Sequence, residues 1–367
     1  MPQPIPALHA IVPAGGAGTR LWPLSRADRP KFLLDLDGSG RSLLQQTYDR
    51  LAPLVDGDGL TVVTGRRHGD AVAAQLPALA PERIVLEPSG RDSMPAIALG
   101  AAIALRADAE AVVASFAADH LIADVDAFGD VVRQAAEVAR AGHVTTIGLE
   151  PTEPSTAFGY VEAGDALDVP GAPDAVAARR FVEKPDAETA REYVAAGRFR
   201  WNAGMFVVRA DVLLGHLQRL QPALHAGALA IADARGTAGE AQAWERWWPT
   251  MTKIAIDHAI AEPVAAEGGV AMVPASFGWT DVGDVAALAE VLGPDATLRT
   301  LGGADVLAID STGLVVADGE RTVTVLGVDD VAVVDTPDAL LVTRLEHAQR
   351  VKDVVARWRS EGRDDLL

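Results

Sequence analysis

The residues whose types and spacing point most directly to chemistry are Ala14-Gly15-Gly16-Ala17-Gly18-Thr19-Arg20. They follow an apolar run, Leu8 to Val12, that reads as a buried strand. Glycines at 15, 16 and 18 let the backbone approach a ligand and turn its N–H groups toward one point. Such a concavity suits a phosphate anion. Arg20 adds one fixed positive charge, and Lys31, in Pro30-Lys31-Phe32-Leu33-Leu34, adds a second. Together these features predict a site for a nucleoside triphosphate. A dinucleotide fingerprint is excluded because Leu21 stands where its third glycine belongs. A Walker loop is excluded because no Gly-Lys-Ser/Thr follows. The plain alternative is a Gly-rich turn without a ligand.

Two aspartates are candidates for a divalent cation. Asp119 follows the apolar run Ala111 to Phe116 within Ala117-Ala118-Asp119-His120. Asp281 lies in Gly278-Trp279-Thr280-Asp281-Val282-Gly283, a turn-like segment. Two hard oxygen ligands together with phosphate oxygens suit Mg²⁺. Each aspartate taken alone would serve equally well as a turn or helix cap. The eight histidines carry no metal-binding spacing, and His120 reads as structural.

Three further segments could recognise a sugar phosphate. Phe158-Gly159-Tyr160 follows a Pro/Thr/Ser loop, and Phe181-Val182-Glu183-Lys184-Pro185 sets a carboxylate beside an ammonium. Trp201-Asn202-Ala203-Gly204 offers a short amide before a strand. Carboxylates and amides pair naturally with sugar hydroxyls, and a lysine with phosphate.

The elements that must position these residues alternate. Strands are predicted at Leu8–Val12, Leu60–Thr64, Arg83–Glu87, Ala111–Phe116, Val144–Leu149, Gly204–Arg209 and Val270–Val273. Helices are predicted between them, among them 95–107 with Ser93 as cap and 128–141. The alternation implies a mostly parallel sheet covered on both faces, with ligands beyond the carboxyl ends of its strands. The texture changes near Gly293-Pro294. Short Val/Leu/Ile runs at 314–317, 322–326 and 331–334 predict a small β element, β-helical in character. A last helix is read from Val342, Leu345, Ala348, Val351, Val355 and Trp358, with Gly362 as its stop. The expected division is therefore 1–293 and 294–367, the second part serving packing or subunit contact. Trp244, Trp247 and Trp248 form a helical aromatic patch, read as packed core or dimer contact over a base-stacking platform.

The chain carries 51 acidic against 32 basic residues, a formal charge of −19, which argues against a nucleic-acid or anionic-membrane surface. It has no cysteine, so disulfide, thiolate and Cys-metal chemistry are excluded. No apolar run approaches the ~20 residues of a membrane span, and residues 1–6 lack the pattern of a signal peptide. A cytoplasmic location is expected.

In this order, the segments resemble the sugar-1-phosphate nucleotidyltransferases. The resemblance rests on Gly15–Arg20 with Leu21-Trp22-Pro23-Leu24-Ser25-Arg26, on Pro30–Leu33, and on Glu87-Pro88-Ser89-Gly90-Arg91-Asp92. Ala118–His120, Phe158–Tyr160, Phe181–Pro185, Trp201–Phe206, Ile256-Asp257 and Trp279–Gly283 continue it through most of the first ~290 residues. The Leu-Trp-Pro-Leu-Ser-Arg and Glu-Pro…Arg-Asp runs are those of the mannose and guanine branch. Pro13, Phe32, Ser93-Met94 and Ala117 depart from the usual pattern without removing a charged or glycine position.

The resemblance implies a Rossmann-like, glycosyltransferase-A-like α/β domain with a mostly parallel mixed sheet. A small C-terminal element of left-handed β-helix type and a terminal helix would follow. It implies GMP transfer from GTP to α-D-mannose 1-phosphate by Mg²⁺-assisted in-line attack, yielding GDP-mannose and pyrophosphate. Ala14, Gly15, Gly16, Gly18, Thr19 and Arg20 would cradle the nucleotide, and Glu87, Arg91 and Asp92 would face its base or ribose. Arg20 and Lys31 would neutralise the phosphates, while Asp119 and Asp281 would hold Mg²⁺ or another divalent cation. Gly159, Glu183, Lys184 and Asn202 would bind the sugar phosphate. A homodimer is expected, and no cupin-like isomerase half. The alternatives are another hexose 1-phosphate or nucleotide, and a non-catalytic regulatory homologue. A nicotinamide oxidoreductase is disfavoured by the missing glycine and the Lys31 segment.

Overall fold

The computed structural model describes residues 3–16, 18–293 and 298–367. Ala17 of the Gly-rich loop, and Pro294 and Thr297 at the expected domain boundary, lie outside the described residues. The chain forms two compact units. The first comprises residues up to 14, 48–118 and 122–279, and the second 15–47, 119–121 and 280–367.

The first unit is built on a nine-stranded mixed sheet. In chain order its strands are β1 (Leu8–Ala14), β2 (Leu60–Gly65), β3 (Ile84–Glu87), β4 (Val112–Ser115), β6 (Val144–Leu149), β7 (Tyr160–Ala166), β8 (Val176–Val182), β9 (Phe199–Arg209) and β10 (Val270–Ala275). Two-residue strands β5 (Leu121–Ile122) and β11 (Trp279–Thr280) stand apart from it. The sheet order is β3-β2-β1-β4-β9-β6-β10-β8-β7. Parallel pairing, expected for most of the sheet, holds for β3-β2-β1-β4 and for β6-β10. β9 runs antiparallel between those two groups, and β7 and β8 add antiparallel pairs at the far end.

Most of the predicted strands are central ones, whose burial on both faces leaves apolar runs; β3 is the exception, an edge strand with Leu86 exposed. Arg83 belongs to a 3-10 turn ahead of β3, and β9 begins five residues before Gly204. The Ala-rich helix spans Ser93–Ala107. Its cap position is Asp92 rather than Ser93, whose Oγ instead accepts from the Ile256 N–H. A Cβ at Gly100 would fall 2.6 Å from Ile11 Cδ1, so glycine lets this helix sit directly on β1. Trp244 and Trp248 are buried in the core of this unit, and Trp247 packs against it. The Trp248 indole donates to the Ser89 carbonyl at 3.0 Å. Packing, not an exposed stacking surface, is the role of this patch.

In the second unit, β12 (Leu298–Leu301), β14 (Gly313–Ala317) and β16 (Val331–Asp335) stack in parallel, and β17 (Leu340–Arg344) closes the sheet antiparallel. β13 (Val306–Ile309) and β15 (Val323–Leu326) pair in parallel as a second ribbon. Alternate strands stacking in two ribbons make a coil of β-helical type. Val342 lies in β17 and is 61% exposed, which corrects its placement in the terminal helix. Helix begins as a 3-10 segment at Leu345 and becomes α-helical over Val351–Ser360. Leu21, Trp22, Leu34, Val285, Leu314, Val334 and Val355 share this unit's core.

Candidate active site

The candidate residues fall in both units and are taken unit by unit. In the second unit, the Gly-rich loop begins directly after Ala14. Gly16 and Gly18 both have positive φ, +85° and +63°. Space around the Cβ positions of Gly15 and Gly16 is open. Gly18 precedes the 3-10 turn Thr19–Leu21, and its carbonyl accepts from Ser25 Oγ at 2.7 Å. A Cβ at Gly18 would lie 2.6 Å from the Lys31 Cβ, so the glycine lets the lysine pass against the loop.

Lys31 opens the 3-10 turn Lys31–Leu33 behind Pro30 and is only 6% exposed. Its ammonium bonds the Asp119 carboxylate at 2.8 Å and the Asp281 backbone carbonyl. Burial would raise the Asp119 carboxyl, but the Lys31 ammonium, His120 and hydrogen bonding outweigh it and hold the group below its ordinary value. Burial raises Asp281; Lys31 and Arg20 oppose the rise, while Asp119 and Asp284 add to it. Arg20, half-buried, donates from Nη1 to Gln349 Oε1 at 2.9 Å. Gly283 separates Arg20 from Asp281: its Cβ position lies 3.5 Å from Arg20 Nη2 and 3.3 Å from both Asp281 carboxylate oxygens. Arg20, Lys31, Asp119 and Asp281 thus form one compact group of alternating charge.

In the first unit, Asn202 is the hub. It is buried, and its Oδ1 accepts from Thr146 Oγ1 at 2.8 Å and from the Gly204 N–H at 3.2 Å. Its Nδ2 donates to Asp257 Oδ1 at 2.8 Å, and its backbone N–H to the Gly159 carbonyl at 2.8 Å. Glu183 crosses the face of Gly159, where a Cβ would collide with its Oε2. Lys184, at φ +45°, turns its ammonium back onto the Glu183 carboxylate. Asp257 is pushed up to about 6, by burial first and by the Glu183 carboxylate second. Phe158 packs between Trp201 and Trp279, with ring centroids 5.0 and 5.2 Å away.

The Glu87–Asp92 segment also belongs to the first unit. Glu87 ends β3, is buried, and burial raises its carboxyl to about 7. Arg91 donates from Nη1 to the Met251 carbonyl at 2.6 Å, tying this segment to the core. Asp92, at φ +58°, turns the chain into the helix Ser93–Ala107.

Two residues have no role in the sequence reading. Asp257 stands in a segment that carries the resemblance, without a function of its own. Gln349 sits in a C-terminal stretch read as packing or subunit contact, and nothing in its neighbourhood of sequence marks it. Only the fold brings these two side chains to Asn202 and Arg20.

Comparison with known proteins places this geometry in a class. Residues 9–296 match the nucleotidyl transferase family, and residues 304–358 match the MannoseP isomerase/GMP-like beta-helix domain. The chain belongs to the nucleotidyl transferase family and is a nucleotidyltransferase. It is 38% identical to the mannose-1-phosphate guanylyltransferase ManC of Salmonella typhimurium, over 98% of this chain and 74% of that protein. It is also 38% identical to the mannose-1-phosphate guanylyltransferase of Escherichia coli, over 98% and 75%. Identity to the xanthan biosynthesis protein XanB of Xanthomonas campestris is again 38%, over 97% and 74%. A crystal structure described as a mannose-1-phosphate geranyltransferase from Thermus thermophilus superposes with a TM-score of 0.85 at 34% identity, covering 96% of this chain and 99% of that one. Among the described residues, no helix is long and apolar enough to cross a membrane.

Proposed function

We propose that the protein transfers GMP from GTP to α-D-mannose 1-phosphate, giving GDP-mannose and pyrophosphate. The observation that carries this reading is the compact group of Lys31, Asp119, Asp281 and Arg20 beside a glycine loop open to a ligand. Similarity to guanylyltransferases named for mannose 1-phosphate supports the choice of sugar and nucleotide.

A phosphate oxygen of mannose 1-phosphate attacks the α-phosphorus of GTP in line. The bond from that phosphorus to the α–β bridging oxygen breaks, and pyrophosphate leaves with the electron pair. One phosphoanhydride replaces another, so the reaction is reversible. Catalysis consists of positioning and charge stabilisation. Gly15, Gly16, Gly18, Thr19 and the end of β1 at Ala14 cradle the triphosphate through backbone N–H groups. Lys31 and Arg20 offset charge on the α-phosphate and the leaving group. Glu183 and Asn202 accept and donate to sugar hydroxyls, Gly159 supplies backbone contact, and Lys184 meets the sugar phosphate. Glu87, Arg91 and Asp92 face the guanine or its ribose.

Asp119 and Asp281 are the residues that would hold Mg²⁺ or a similar cation. The donor set fits: the Asp119 carboxylate is kept ionised, and Asp281 lies close enough for the two carboxylates to feel each other. Among the described residues no group of three or more His, Cys, Asp or Glu could hold a metal ion by itself, and phosphate oxygens and water would supply further ligands. When bound, the ion supplies charge neutralisation at the phosphates.

We assign residues 1–293 to the catalytic domain and 294–367 to the β-helical domain, and place the enzyme in the cytoplasm. A homodimer is the proposed assembly. Leu307, Ile309, Leu326 and Val328, on and next to the β13–β15 ribbon, are exposed apolar side chains that a second copy would cover. The test is Mg²⁺-dependent pyrophosphate release across a panel of nucleoside triphosphates and hexose 1-phosphates. Rapid release with GTP and mannose 1-phosphate alone is expected. Release with another pair alone would overturn the specificity, and none from folded protein would overturn the reaction.

A further inference from the structure

The C-terminal segment contributes a side chain to the Arg20 group within the second unit. Gln349 accepts from Arg20 Nη1 at 2.9 Å through Oε1, and its Nε2 donates to Asp284 Oδ2. Asp284 is 6% exposed, and its other oxygen accepts from the Ala286 and Ala287 N–H groups at 2.8 and 3.0 Å. The far end of this chain of bonds is therefore fixed to the start of the helix Val285–Val291. A carboxamide is neutral, accepts at one atom and donates at the other. Gln349 can thus satisfy a cation and an anion together without cancelling either charge. Were Asp284 to meet Arg20 directly, the guanidinium would be neutralised within the protein. Asp281, whose carboxylate lies across Gly283 from Arg20, offers the same trap.

We infer that Gln349 is a positioning residue that holds the Arg20 guanidinium apart from Asp281 and Asp284, leaving its charge for the nucleotide phosphates. The inference rests on the phosphate role proposed above for Arg20. It also gives the β-helical segment a part in the chemistry.

A double-mutant cycle tests it, using Gln349→Met, which keeps the side-chain length and removes the amide. Gln349 is exposed while its partner Asp284 is buried, and thermal unfolding checks that the variant folds. With Arg20 in place, Gln349→Met is expected to lower kcat/KM for GTP about 5–20-fold, the range for an exposed hydrogen bond to a charged group. KM for mannose 1-phosphate should stay within about twofold, since uniform loss of binding would move both substrates. In an Arg20→Ala background the same change should have no effect. Equal losses in both backgrounds, or none in either, would overturn the inference while leaving the role of Arg20 intact. Should Arg20→Ala itself leave GTP kinetics unchanged, the reading of Arg20 falls and the inference falls with it.

Discussion

Asp257→Asn is expected to make the protein more stable and a poorer enzyme. Burial and the neighbouring Glu183 carboxylate move the Asp257 carboxyl from its ordinary 3.8 up to about 6. The folded chain then keeps this proton to higher pH than the unfolded chain does. Relative stability is therefore unaffected below about pH 4, falls as pH rises toward 6, and stays at its reduced level above that. Before solvent screening, the rise corresponds to about 3 kcal/mol. Asp257 is only half-buried, and solvent screening brings the expected figure down to about 1–2 kcal/mol. Asparagine keeps the shape and never ionises. With its oxygen turned toward Asn202 it still accepts the 2.8 Å bond.

Thermal unfolding of both proteins at pH 7.5 and at pH 4 is the assay. The variant should melt roughly 1–3 °C higher at pH 7.5, and the two should coincide at pH 4. Asp257 orients the Asn202 amide proposed to meet a sugar hydroxyl, and the variant replaces its charged acceptor by a neutral one. Steady-state kinetics at pH 7.5 should therefore show KM for mannose 1-phosphate raised about tenfold, the scale of one hydrogen bond to a charged group. A variant that melts lower at pH 7.5, or that gains as much at pH 4, would refute the electrostatic account. Stabilisation combined with lost substrate affinity is the pattern expected where a fold tolerates an unfavourable charge for function.

Lys31→Ala should lower turnover by ~100-fold or more, on the scale of a lost electrostatic stabiliser; near-normal turnover would remove Lys31 from the mechanism. Gly18→Ala forces a Cβ into the Lys31 side chain at a left-handed φ, and should cost about 1–3 kcal/mol of stability and at least tenfold in kcat. Unchanged melting and activity would show that the loop and lysine are not packed as described. For Glu87, whose carboxyl titrates at about 7, ionisation creates an acceptor for guanine donors. KM for GTP should fall as pH rises through 7 in the wild type and stay flat in Glu87→Gln; parallel profiles in the two proteins would place Glu87 away from the base.

How much of this could be read from sequence depends on where each signal is stored. The run Val144–Leu149 is fully buried, so its apolar residues alone give β6 its limits. The same logic misses β7 and β8. Glu162 and Asp165 in one, and Arg179-Arg180 in the other, interrupt the apolar pattern because these strands lie at the sheet's end with a polar face. Val342 misled for the opposite reason. An exposed apolar residue in β17 happened to fall three positions before Leu345, and a helical period absorbed it.

The candidate site divides in the same way. Gly15, Gly16 and Gly18 announce themselves as a cluster, and at Gly16 and Gly18 the left-handed backbone favours glycine whatever the rest of the chain does. Arg20, Lys31, Asp119 and Asp281 were each legible as charges beside a turn. That Lys31 reaches both Asp119 and the Asp281 carbonyl is a property of the folded unit alone. Asn202 finds Asp257 across 55 residues, and Arg20 finds Gln349 across 329. No spacing rule spans such distances, and an asparagine or a glutamine carries no charge to betray it. Gln349 bonds a cation at one end and an anion at the other, and Asn202 gives the Asp257 carboxylate a neutral donor. A sequence reading therefore names the charged groups of such a site first, and the fold is needed to find the neutral groups that keep those charges available.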